Sequence, residues 1–285
     1  MTTRIDSHLH VWELARGGYD WLTPVSGALY ADFTAEAAAA SLATRAIDRA
    51  VLVQAQDSRP ETDYLLSLAS LHPWVLGVVG WVDLDHPAVA RRQLTESAAH
   101  PQFVGVRTLL HTDPRTDLLE RPAVRESLRA VAAHGLPFDV PDAWPRHLPQ
   151  LPGLAAGIPE LTVVIDHLGK PPRGRAELLA WRDTLALVAA RPNVVAKVSG
   201  LRTPGANYSA ATLAEIWEIA LDLFGADRLM WGSDWPMPIA DGDYAAAVDP
   251  PFELIDTLSV HEQTAILSGT AARVYSPADS ARKSA

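Results

Sequence analysis

Five short polar clusters in this chain hold residue types able to do chemistry. The first is Asp6-Ser7-His8-Leu9-His10, with two imidazoles two positions apart. On an extended segment that spacing turns both side chains to one face, with their Cα atoms roughly 7 Å apart. Such a pair can ligate one metal ion or donate to one substrate oxygen. The others are Gly105-Val106-Arg107, Asp166-His167, Lys197-Val198-Ser199-Gly200 and Gly232-Ser233-Asp234-Trp235-Pro236. Arginine suits a carboxylate or a polyhydroxylated ligand, and an aspartate beside water can take up and return a proton. Each cluster also has an ordinary structural explanation. His167 can bond a loop carbonyl, Asp234 can cap a helix ahead of Pro236, and Arg107 or Lys197 can pair with a buried carboxylate.

What unites the clusters is their place relative to the elements around them. Short apolar, β-rich runs occupy residues 4–8, 50–54, 76–82, 103–108, 136–140, 162–166, 194–199 and 228–233. Between them lie segments of helical spacing, such as 61–71, 88–99, 122–134, 176–190 and 210–224, several ending at a Gly or Pro such as Gly135 or Pro192. Thr34 stands as an N-cap before an alanine-rich helix. Continuously apolar strands, each followed by a helix, imply a parallel sheet covered on its outer face. Eight such units predict a single (β/α)8 TIM barrel over residues 1–275, with 276–285 a disordered tail. An open doubly wound sheet is the weaker alternative, because no glycine-rich turn follows the first strand. In such barrels catalytic groups project from the C-terminal ends of the strands. All five clusters fall there, on strands one, four, six, seven and eight.

Composition excludes several classes. A formal charge of −10 argues against nucleic acid. No run of about 18 apolar residues predicts a membrane span, and the first residues lack an apolar signal-like core. The absence of cysteine rules out thiolate metal sites and suits a cytoplasmic location. Nothing here argues against a homo-oligomer.

At these residues the sequence resembles the amidohydrolase superfamily, and within it the lactonase branch. That branch holds sugar-acid lactonases of the L-rhamnono- and L-fucono-lactone types and 2-pyrone-4,6-dicarboxylate lactonase. The resemblance spans nearly the whole chain. Ile5 to Trp12 matches the family's opening, Val51-Leu52-Val53-Gln54-Ala55 with Glu61-Thr62 its second strand and helix, and Gly77 to Leu84 its third strand. Ile165 to Pro171, Lys197-Val198-Ser199-Gly200-Leu201 and Phe224 to Pro236 follow, and Gly269 to Tyr275 resembles the terminal helix. Two-metal members of the superfamily bridge their ions with a lysine or glutamate on strand four or five. Here those strands carry Arg107 and Leu136-Pro137-Phe138-Asp139-Val140 instead, with no lysine, glutamate or histidine.

The resemblance therefore implies at most one divalent cation, zinc before manganese, or none, held by His8, His10, His167 and Asp234. It implies hydrolysis of a small-molecule lactone, with Asp234 as general base and then acid, and with the histidines or their ion polarising the carbonyl. Arg107, Lys197, Gln54, Trp81, Tyr30 and Trp235 are the expected substrate contacts, and His167 is catalytic beside Asp234. A sugar lactone ranks ahead of a pyrone dicarboxylate, because two carboxylates need about two buried cations and Lys170 lies beyond its strand. The rivals are a decarboxylase of the same superfamily and a non-catalytic sugar-binding barrel.

Overall fold

The computed structural model describes residues 3–202 and 205–276; most of the expected disordered tail lies outside the described residues. The eight expected strands form in order: β1 Ile5–Leu9, β2 Arg49–Val53, β3 Val75–Gly80, β4 Phe103–Arg107, β5 Phe138–Val140, β6 Val163–Ile165, β7 Val194–Val198 and β8 Leu229–Trp231. They pair in parallel in the order β1 to β8. Beyond β8 the chain returns to β1: Leu9 bridges Trp235, His10 N donates to Trp235 O at 2.7 Å, and Asp234 N donates to His8 O at 2.9 Å. The sheet thereby closes into a barrel.

One helix follows each strand: α1 Ala35–Ala43, α2 Arg59–Leu71, α3 Pro87–Ser97, α4 Pro122–Ala133, α5 Leu151–Gly157, α6 Arg175–Ala189, α7 Ala210–Phe224 and α8 Tyr244–Ile255. Their starts are set locally. Thr34 accepts from Ala37 N ahead of α1, and Ser58 accepts from Glu61 N ahead of α2, each cap worth about 1 kcal/mol. Gly135 ends α4 in the left-handed region at φ 68°, where a side chain would be strained.

The barrel interior is filled near its base by Ile5, Val51, Val53, Leu76, Val79, Val104, Val164, Val195 and Met230. Every strand but β5 contributes. Tyr275, just after the short terminal helix α9 Thr270–Val274, packs into the same cluster. The opposite faces of the strands pack on the helices in a second, larger cluster. Burial on both faces explains why β3, for instance, is apolar at every position that is not glycine.

Candidate active site

The strand ends converge as expected. β1 carries a register irregularity between Asp6 and Leu9, and the buried Asp6 carboxylate stabilises it by accepting from His8 N at 3.1 Å and Ser233 N at 2.9 Å. One side chain thus ties the end of β1 to the end of β8. His8 and His10 face each other with Nε2 atoms 3.1 Å apart. Asp234 Oδ1 lies 3.5 Å from His10 Nε2, 3.7 Å from His8 Nε2 and 3.8 Å from His167 Nε2. All four residues are buried.

Close approach here is bought with unusual backbone. His167, Leu168 and Asp234 sit at φ 56°, 53° and 60°, a region that costs an ordinary residue of order 1 kcal/mol or more. Gly200, at φ 55°, lies so near that a Cβ would stand 2.5 Å from His167 Nδ1 and 2.7 Å from Asp234 Oδ2. Only glycine fits there.

Each imidazole has a second partner behind it. His10 Nδ1 lies 2.8 Å from Val53 O, His167 Nδ1 2.8 Å from Ser199 Oγ, and His8 Nδ1 3.3 Å from Asp166 Oδ1. With the proton held on Nδ1, every Nε2 keeps its lone pair toward Asp234, the arrangement that orients metal-ligating histidines. Burial lowers the pKa of His8 and of His167, which favours the neutral, ligating form. Burial would raise Asp234, but the neighbouring His167, His10 and His8 and the Lys170 charge hold it well below the usual carboxylate range. His8, His167 and Asp234 bring ligand atoms within 4.8 Å of one another. The donor set suits one divalent ion, with His10 beside it. Among the described residues no second group of three metal-ligating side chains occurs.

Beneath this floor lies a charged layer. Lys197 Nζ donates to Asp139 Oδ2 at 2.6 Å, and stands 3.0 Å from Asp166 Oδ1 and 3.2 Å from His8 Nδ1. The Tyr275 hydroxyl donates to the same Asp139 oxygen at 2.7 Å. Burial and the neighbouring Asp166 push Asp139 up to about 6 despite Lys197. Asp166, also buried, is held well below the usual range by Lys197, His8 and Arg107.

Above the floor opens a cavity of about 180 Å³, small beside the roughly 300–1,000 Å³ of sites for drug-sized ligands. Its lining includes His10, His167, Asp234 and Arg107, an apolar side of Trp12, Trp21, Leu109 and Met237, and a polar side of His111, Asp142 and Lys170. Arg107 is braced by Gln54 O at 3.1 Å and Asp166 Oδ2 at 3.3 Å.

Several expected contacts fall elsewhere. Lys197 is wholly buried below His8, away from the cavity lining, and its ammonium pairs with Asp139 and Asp166. Gln54 is buried and donates to Asp57 and to Arg107 O. Trp235 packs edge-on against Phe33 at 5.4 Å. Trp81 and the exposed Tyr30 are also absent from the lining. Conversely Lys170, which the sequence left beyond its strand, reaches the cavity, as does Asp142. Their signal was faint: Lys170 follows a motif directly, but Asp142 sits in a loop with no pattern. Asp139 and Asp166, polar residues inside apolar strands, were a clearer signal for the charged layer.

The comparisons with known proteins agree with this architecture. A family model described as amidohydrolase matches residues 5–276. An L-fucono-1,5-lactonase of Burkholderia ambifaria is 39% identical over 86% of this chain and 86% of its own length. Another of that name, from Burkholderia multivorans, is 34% identical over 97% and 98%. A crystal structure of a Burkholderia multivorans amidohydrolase with bound zinc superposes with a TM-score of 0.87 at 32% identity, covering 96% of this chain and 99% of that one. The chain belongs to this amidohydrolase family.

Proposed function

We propose that this enzyme hydrolyses the lactone ring of a small sugar acid, and that it does so with one divalent ion, zinc first, at the cavity floor. The observation that carries the reading is the single carboxylate oxygen of Asp234 within 3.5–3.8 Å of three imidazole nitrogens. Relatives named L-fucono-1,5-lactonase and a zinc-bearing relative support it. When bound, such an ion supplies Lewis acidity to the ester carbonyl and to a nearby water.

The chain's own residues account for the rest. Asp234, ionised at neutral pH, takes a proton from the attacking water and returns it to the ring oxygen as the carbonyl–oxygen bond breaks. Lactone and water thus become a hydroxy acid with no net proton change at Asp234. His8, His10 and His167, fixed from behind, hold their Nε2 atoms toward the reacting centre. Arg107 donates to substrate oxygens from a guanidinium already braced on its other side. The indoles of Trp12 and Trp21 offer an apolar face to a compact ring, while His111, Asp142 and Lys170 meet its hydroxyls.

Charge favours a neutral ring over a dicarboxylate. Lys170 stands 3.9 Å from Asp142 and Arg107 is paired with Asp166, so neither cation is free to neutralise a carboxylate. The test is kcat/KM for sugar 1,4- and 1,5-lactones, L-fucono-1,5-lactone first, against 2-pyrone-4,6-dicarboxylate, read by an indicator dye with and without zinc. Sugar lactones should win. A tenfold preference for the dicarboxylate, about 1.4 kcal/mol of transition-state binding, would reverse the assignment. Elemental analysis of zinc-supplemented protein should find no more than one equivalent.

A further inference from the structure

We propose that Glu61 is a positioning residue: it clips the segment after β1 to the segment after β2 and so holds the indole wall of the cavity. Its kinetic readout rests on the lactonase reading, whereas its structural readout does not.

Glu61 lies in the first turn of α2, a place where an acidic side chain ordinarily faces water and complements the helix dipole. This one is 2% exposed. It accepts from Ala55 N at 3.0 and 3.1 Å and from Gln56 N at 2.9 Å, and the Tyr19 side chain stands beside it, close enough to lower its pKa. These neighbours come from two separate segments. Ala55 and Gln56 follow β2, and Tyr19 lies in the long connection after β1.

The same two segments build the apolar wall. Ala55 O accepts from Trp21 Nε1 at 3.1 Å, and both residues line the cavity. Trp12 meets Trp21 edge-on at 5.4 Å. Gly18 lies against Gln56 so closely that a Cβ would stand 2.0 Å from Gln56 Oε1. Trp21 itself is 40% exposed, so burial alone fixes it weakly, and the bond to Ala55 matters. Glu61 holds the Ala55 backbone that receives this bond, and beside it stands Tyr19, two residues before Trp21. Burial of an acid is costly, and burial pushes Glu61 up to about 7. What the fold gains is a fixed relation between two loops.

Glu61→Gln keeps the size but replaces one acceptor oxygen with a nitrogen that only donates. Hydrogen–deuterium exchange should then quicken tenfold or more in residues 11–34 and 54–58, with the strands unchanged. With a lactone the wild-type enzyme hydrolyses, KM should rise fivefold or more and kcat stay within twofold. That rise should vanish when Trp21 is already alanine, because Glu61 then has nothing to position. Tyr19→Phe removes the hydroxyl beside Glu61 and leaves the acid; it should show the same pattern at threefold or more, and it carries the test if Glu61→Gln does not fold. Unchanged exchange in the two segments would overturn the proposal. So would a fall in kcat at constant KM, or a KM rise undiminished in the Trp21→Ala background. If wild type hydrolyses no lactone, the functional reading fails and exchange alone decides the clip.

Discussion

The floor of the site and its wall are built on different principles. The floor stands on strand ends, and each of its histidines is buried and gripped from behind by Val53 O, Asp166 or Ser199. The wall stands on connections between elements. Trp21 is 40% exposed, and the Lys170 and Asp142 side chains retain 44% and 32% of their accessibility. The difference is one of tolerance. Groups that move protons need geometry held to a fraction of an ångström, which the ladder of a closed barrel provides. Groups that choose a substrate need only present a shape, and loops can be altered without disturbing the barrel. Changes to the floor should therefore appear in kcat or in stability, and changes to the wall in KM.

The largest effect expected is on the floor. Asp234→Asn should lower kcat by on the order of 10²–10⁴-fold while the protein stays folded, because asparagine tolerates the left-handed backbone that Asp234 occupies. Retention of more than about a third of wild-type kcat in steady-state assays would break the comparison at its centre. Next, Lys197→Met should destabilise the fold by about 3–5 kcal/mol, since Asp139 and Asp166 lose a shared buried cation. Urea unfolding checks this, and a loss below about 1 kcal/mol would mean the charged layer is not structural support.

On the wall, Trp21→Ala should raise KM about tenfold, near 1.4 kcal/mol, with kcat changed less than threefold; a kcat effect larger than the KM effect would erase the distinction. The smallest effect concerns pH. The folded-state pKa of Glu61 is raised by burial, opposed by its hydrogen bonds and by the Arg107 charge. Its contribution to stability is therefore complete below the unfolded carboxyl value and is lost as pH rises to about 7. Glutamine does not titrate. The stability of Glu61→Gln relative to wild type should improve by on the order of 1 kcal/mol between pH 6 and pH 7, measured by denaturant unfolding at each pH. A gap that is constant or that narrows in the other direction would contradict the buried, titrating acid.

How much of this was legible follows the same division. Eight strands were readable because a strand buried on both faces must be apolar throughout, and their ends moved by only a residue or two in most cases. The floor was readable because His8, His10, His167 and Asp234 stand at fixed offsets from those strands. Lys197 takes the buried-carboxylate pairing of its two readings for a physical reason: strand register says that a side chain points inward, but not how far down the barrel its head will settle. Two acids, Asp139 and Asp166, draw it below the mouth. Trp81, Tyr30 and Trp235 show the complementary failure, for a position after a strand end does not specify the path of a loop. Lys170 reaches the cavity because of its left-handed backbone at φ 63°, a turn that no hydrophobic pattern encodes.

Tyr275 gives the molecule a temporal order as well as a spatial one. Its ring enters the base of the barrel and its hydroxyl completes the hydrogen bonding of Asp139 Oδ2, which Lys197 also holds. Chains emerge from the ribosome N-terminus first, at about 5–20 residues per second. All eight strands and all four floor residues are therefore made before residue 275. Until it arrives, the lysine under His8 is matched with an aspartate that lacks its second partner. A nascent chain makes the histidines and Asp234 early, but their support is finished only when residue 275 follows the last strand.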